Sequence, residues 1–173
     1  EMERGVTTGF RVLGIDPGTA ITGYGVVEVR NRSLISIAHG VIATPPRQPF
    51  PLRLQAIHQA LQAIIRQHRP ECGVVEGLFF AKNVRTALML GQARGVALLA
   101  VVDGGLDVFE YSPLEVKSAL TGTGRASKEQ VQRMVASLLG ISSGIPATDA
   151  TDALALAICH IHGVGLQKRL ATL

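Results

Sequence analysis

Four carboxylates stand out for what surrounds them in the chain. Asp149 and Asp152 are three residues apart, and they are the only acids between Met134 and Gln167, a stretch with no lysine or arginine. On a helix that spacing projects both side chains from one face. Asp16 closes the apolar run RVLGID and Glu76 closes CGVVE. Acids with no local cation must face water, find a distant partner or hold a metal. Brought together, such groups repel by roughly 4 kcal/mol per pair at contact distance and moderate dielectric, so four are tenable only with divalent cations between them. Hard oxygen donors without nearby Cys or His select Mg²⁺ or Mn²⁺. Two such ions about 3.5–4 Å apart activate a water and stabilise the leaving oxygen of a phosphodiester. Each piece alone has a plainer explanation. A D-x-x-D pair in a first helical turn complements the helix dipole, and an acid at a strand end is ordinarily solvated or caps a loop.

The elements that must position these acids follow from periodicity. Residues 11–16 read as a buried strand, 17–20 as a turn, 23–30 as a second strand and 33–43 as a third. The short connections favour antiparallel pairing, a three-stranded meander. Four prolines make 44–51 a loop, after which the period becomes 3.6 from Leu52, with Leu54, Ile57, Leu61, Ile64, Ile65 and His68 on one face and Pro70 as the stop. Residues 72–76 form a fourth strand, 83–103 a long helix closed by Gly104-Gly105, and 107–111 a fifth strand. Ser112-Pro113 opens a helix to about Leu120. TGTGRA (121–126) reads as a flexible basic loop, Ser127 with Gln130 as a capping box for a helix to Leu139, and 146–159 as the final helix. The order βββαβαβααα implies an α/β fold: a mixed five-stranded sheet with helices on both faces and the first, fourth and fifth strands parallel. Sites in such sheets lie at the carboxyl ends of the parallel strands, where Asp16 and Glu76 sit side by side if those strands are neighbours.

The 173 residues suit one domain, taken as 11–163, with 1–10 as a disordered leader or expression remnant and 164–173 as a C-terminal tail. A 47% hydrophobic share is too high for a disordered tail. The longest unbroken apolar stretch, Val96–Val102, is far short of a membrane span, which argues against an integral membrane protein. Two cysteines inside apolar runs, Cys72 and Cys159, do not make a disulfide scaffold and point to a reducing, cytoplasmic compartment. Cys159, His160 and His162 are poorly spaced for shared zinc ligation. The net charge of +4 is mild, but six arginines and no acid lie between Glu28 and Glu71. Phe79 and Phe80 stand between Glu76 and the polar or cationic Lys82, Asn83 and Arg85, an arrangement suited to stacking on an unpaired base with backbone steering. The alternative is that both rings pack under the following helix. Lys117, Arg125 and Lys128 flank the glycine-bearing loop and either close on phosphates or are simply solvated. The 83–103 helix is apolar nearly all round, which implies burial on two sides, by its own core or by a second subunit.

In order along the chain, GIDPGT (14–19), VEG (75–77) with Phe79 and AKN (81–83), GQARG (91–95) and DATDALA (149–155) resemble the RuvC family, bacterial crossover-junction endodeoxyribonucleases that resolve Holliday junctions and have a ribonuclease-H-like fold. The resemblance covers about residues 11–162. It implies that Asp16, Glu76, Asp149 and Asp152 are the metal-binding catalytic carboxylates, with Asp16 bridging two Mg²⁺ ions, Glu76 and Asp152 completing them, and Asp149 ligating or orienting the water; Mn²⁺ is expected to substitute. It further implies that Lys117 and Lys128 contact the junction and assist catalysis, and that Phe79 stacks on a base near the crossover. A homodimer is implied too, as is cooperation with the RuvA–RuvB branch-migration complex. A junction must be cut symmetrically on two strands, and a two-fold dimer suits that task. Two other readings stay open on sequence. An acid followed by Gly-Thr in a hairpin also occurs in ATPase-like phosphate-binding folds, although those need two such lobes. A non-catalytic DNA-binding module would use the basic stretch and Phe79 alone.

Overall fold

Alternation along the strands divides the apolar residues between two cores. In the computed structural model, which describes residues 9–77, 83–143, 145 and 148–170 (backbone only for 166–170), ten elements follow the predicted order. They are β1 (Phe10–Asp16), β2 (Ile21–Arg30), β3 (Ser33–Ala43), α1 (Phe50–His68), β4 (Cys72–Glu76), α2 (Val84–Asp103), β5 (Asp107–Tyr111), α3 (Pro113–Thr121), α4 (Lys128–Leu139) and α5 (Thr148–Leu170). The sheet order is β3-β2-β1-β4-β5. β1 pairs antiparallel with β2, which pairs antiparallel with β3; β1, β4 and β5 run parallel. Successive side chains point to opposite faces, so Leu13, Ile15, Val26 and Val75 pack under α1 and α2, whereas Val12, Val27 and Val74 pack under α3, α4 and α5.

Caps set most helix ends as expected. Ser112 with Glu115 and Ser127 with Gln130 form reciprocal capping boxes, and Gly122 and Gly140 end α3 and α4 in the left-handed conformation. Three readings shift. α1 begins at Phe50 because Pro51 fits the first helical turn, where its missing N–H costs nothing. Its buried face carries Arg53 with Ile57, Leu61 and Ile65, while Leu54 is only partly buried. α5 does not stop at Cys159 but continues through Gly163 and Gly165 to Leu170, into the segment read as a tail. α2, 20 residues long, is by length and composition apolar enough to cross a bilayer, a property the unbroken-run criterion missed because Gly91, Gln92, Arg94 and Gly95 interrupt it. Here it lies against α1, β4 and β5 with Ala93, Ala97, Ala100 and Val101 buried.

Candidate active site

The site is built where β1 and β4 end together. Their parallel register runs from Val12 beside Cys72 to Ile15 beside Val75, so the next residues, Asp16 and Glu76, share one rim. The two carboxyls lie within hydrogen-bonding reach of each other.

Glycines bring the other two acids to that rim. A methyl group at Gly14 of β1 would collide with the carbonyl oxygen of Ala153 and approach Ala157 N to 3.0 Å. One at Gly23, the antiparallel partner of Asp16, would collide with the carbonyl oxygen of Asp149 and meet its Cβ at 3.0 Å. Gly25 makes room for the Leu154 side chain, with Leu154 N at 3.0 Å from where a methyl group would sit. α5 therefore lies backbone-close across β1 and β2, its first turn above the end of β1. Asp149 and Asp152 both act electrostatically on Asp16.

Burial first, then the charges of Glu76, Asp152 and Asp149, push the Asp16 carboxyl up to about 8. Burial and Asp152 also raise Glu76, against the hydrogen bond from Asp16 and the charge of Lys128. Among the described residues no three His, Cys, Asp or Glu side chains are gathered closely enough to hold a metal ion as they stand. Asp152 instead finds a distant cation, Lys128, whose Nζ lies 2.8 Å from Oδ2. That pairing corrects the expectation of cation-poor acids, and it raises the lysine's own proton affinity. The donor chemistry nevertheless fits a hard divalent cation: four carboxylates face one ammonium, and burial together with the neighbouring acids pushes the Asp16 carboxyl well above its ordinary range.

The expected DNA-contacting residues divide into three sets. Lys117 and Lys128 join Glu76 and Asp152 in lining a cleft of about 220 Å³ floored by Val116 and Val131. Arg125 is exposed on the 121–126 turn. That turn is tied rather than loose: Thr121 Oγ1 donates to Lys117 O at 2.7 Å, and Arg125 N–H donates to Thr123 Oγ1 at 3.2 Å. Asn83 proves to be the N-cap of α2, its Oδ1 accepting from the N–H groups of Arg85 (2.9 Å) and Thr86 (3.3 Å), with Arg85 exposed beside it. Phe79, Phe80 and Lys82 lie outside the described residues.

Two arginines to which sequence reasoning gave no structural role, Arg53 buried and Arg94 partly buried, brace the strand ends. Arg53 of α1 donates through Nε to Thr44 Oγ1 (3.0 Å) and through Nη2 to the Thr19 carbonyl, clamping the turn that follows Asp16. Arg94 of α2 donates through Nε to the Glu76 carbonyl at 3.0 Å. Their partners lie 34 and 18 residues away, beyond any local pattern.

The sequence model described as "Crossover junction endodeoxyribonuclease RuvC" matches residues 12–160. A protein of that description from Pelotomaculum thermopropionicum is 50% identical over 159 residues, covering 92% of this chain and 97% of its own length. The RuvC structure of Thermus thermophilus superposes with a TM-score of 0.85 at 34% identity, covering 91% of this chain and 97% of that one. The same Thermus protein in complex with a Holliday junction substrate superposes with a TM-score of 0.83 at 33% identity, covering 91% and 96%. A match that runs from β1 into α5, through all four acids, leaves one conclusion: the chain belongs to the RuvC family of crossover junction endodeoxyribonucleases.

Proposed function

We propose that this chain resolves four-way DNA junctions by paired, symmetric phosphodiester hydrolysis during recombination and repair. The observation that carries the reading is the convergence of Asp16 and Glu76 from parallel strand ends with Asp149 and Asp152 from one helix face, in a chain of this family. Asp16, Glu76, Asp149 and Asp152 are the residues that would hold two Mg²⁺ ions, with Mn²⁺ as a substitute. Such ions supply activation of a water and charge stabilisation at the leaving oxygen. The protein's own part is positional. Asp16 and Glu76 ride on paired strands, and α5 cannot slide without lifting off three glycines. Releasing Asp152 frees Lys128 for a phosphate oxygen beside Lys117, and Arg125 is exposed on the 121–126 turn. Asn83 and Arg85 begin the helix that follows Phe79 and Lys82, the residues expected to stack on a base near the crossover and to contact its backbone.

Two cuts require two sites, which a homodimer supplies. The outer face of α2 supports one. Val84, Leu88, Leu99 and Val102 are exposed there, and Gly91 and Gly95, spaced along the same helix, have nothing within 4 Å of where a side chain would begin. Cooperation with a RuvA–RuvB complex in the cytoplasm follows from the family reading. The deciding experiment offers the protein a synthetic four-way junction and a linear duplex, each with Mg²⁺ or chelator. Symmetric nicks in the junction alone, and only with metal, are expected; equal cutting of the duplex, or cutting in chelator, refutes the proposal.

A further inference from the structure

We propose that Arg94 is a positioning residue for the Glu76 carboxylate, fixing the end of β4 from α2; this rests on the endonuclease reading above. The Arg94 side chain is only 15% exposed. Its Nε donates to the Glu76 carbonyl at 3.0 Å, and its Nη2 pairs with Glu110 Oε1 at 2.8 Å. Glu110 stands on β5 opposite Val75. One planar guanidinium therefore ties α2, β4 and β5 together at the point where β4 stops. The peptide group it holds links Glu76 to Gly77, and the far side of that peptide is held by Gly77 N–H donating to Tyr111 O at 2.9 Å. A peptide plane pinned from both sides fixes the direction in which the Glu76 side chain leaves the strand.

Two further observations separate this role from ordinary packing. A cavity of about 50 Å³ opens against this strand end, lined by Pro17, Glu76, Gly77, Leu90, Gly91 and Arg94. Both acid-bearing strand ends thus border open volume, and without Arg94 the end of β4 has room to move. The charge of Arg94 is also spent elsewhere. It meets Glu110, while the groups that act on the Glu76 carboxyl are Asp16, Asp152 and Lys128. Arg94 works by holding backbone, so a lysine, which keeps the charge but cannot span both partners, fails to replace it.

The test compares wild type with R94K, R94M and E110Q. Three quantities are read: the Mg²⁺ concentration for half-maximal single-turnover nicking, junction affinity in chelator, and Mn²⁺ binding to the DNA-free protein by paramagnetic resonance. R94K and R94M are expected to weaken Mn²⁺ binding and raise the Mg²⁺ requirement about tenfold or more, with junction affinity within about twofold of wild type. E110Q, which loosens Arg94 without removing it, shifts both in the same direction by less. Wild-type metal affinity in R94K overturns the assignment, as does a cleavage loss matched by an equal loss of junction affinity with metal binding intact. Should R94M yield no folded protein, R94K and E110Q decide by the same criteria. A wild-type protein that fails to nick junctions would instead sink the endonuclease reading, while Mn²⁺ binding would still report on Arg94 and Glu76.

Discussion

Replacing Asp16 with asparagine isolates the electrostatic cost of the site. Its carboxyl moves from an ordinary value near 3.8 to about 8 in the fold. Well below pH 3.8 the group is neutral folded or unfolded, and folding takes up no proton. Between those values the folded state binds a proton that the unfolded chain has released, so stability falls as pH rises and the penalty is complete above about pH 8. At about 1.4 kcal/mol per pH unit, the penalty at pH 7 comes to about 4 kcal/mol, an upper figure because Asn gives up part of the hydrogen bonding. Metal-free D16N should therefore melt above wild type at pH 7, by several degrees at about 2–4 °C per kcal/mol for a chain of this size. The assay is thermal unfolding of both proteins in chelator from pH 5 to pH 8, repeated with Mg²⁺. The gap between D16N and wild type should widen with pH, Mg²⁺ should raise the wild-type midpoint far more than that of D16N, and D16N should bind junctions without nicking them. Parallel melting curves across that pH range would refute the reasoning, because they would mean that neither burial nor the neighbouring acids penalise a charged Asp16.

Four further outcomes are expected. G14A forces α5 away from β1, lowering stability by about 1–3 kcal/mol in denaturant melts and depressing nicking further, since Asp149 and Asp152 ride on that helix. K128M removes a half-exposed ion pair and changes stability by under about 1 kcal/mol, whereas single-turnover nicking should fall about 100-fold through loss of a preorganised donor. L88E introduces a charge on the exposed face of α2, and light scattering should report half the wild-type mass. E28Q removes the carboxylate that pairs with Arg11 (2.6 Å) and Arg30 (2.5 Å), both of which keep part of their side chains in water, and chemical denaturation should register a loss of about 1–2 kcal/mol.

Local signals carried the ladder of elements because most ends are marked by chemistry. Ser112-Pro113, Ser127 with Gln130, and Gly122 and Gly140 each do locally what their types suggest. The adjacency of Asp16 and Glu76 was legible too, since a parallel crossover after a meander leaves few alternatives. The far end of α5 was not, because the apolar run that marks the helix ends at Cys159, whereas the helix continues through Gly163 and Gly165, which it tolerates at a cost of about 1 kcal/mol each. Nor was the Lys128–Asp152 pair legible, as it joins the start of α4 to the second turn of α5, two helices that meet only through tertiary packing. The bracing roles of Arg53 and Arg94 were hidden for the same reason: each satisfies a backbone carbonyl, at Thr19 in the turn after β1 and at Glu76 at the end of β4, and carbonyls leave no mark in a sequence.

The seating of α5 on Gly14, Gly23 and Gly25 has a consequence for when the protein becomes dangerous to its own genome. A nascent chain emerging from the ribosome can complete its sheet and both helices beneath it while half of the acids are still untranslated. Until that last helix drops into its glycine furrow, Asp16 and Glu76 stand without their counterparts, and on the proposed assignment of the four acids an unfinished polypeptide is expected to leave the DNA around it uncut.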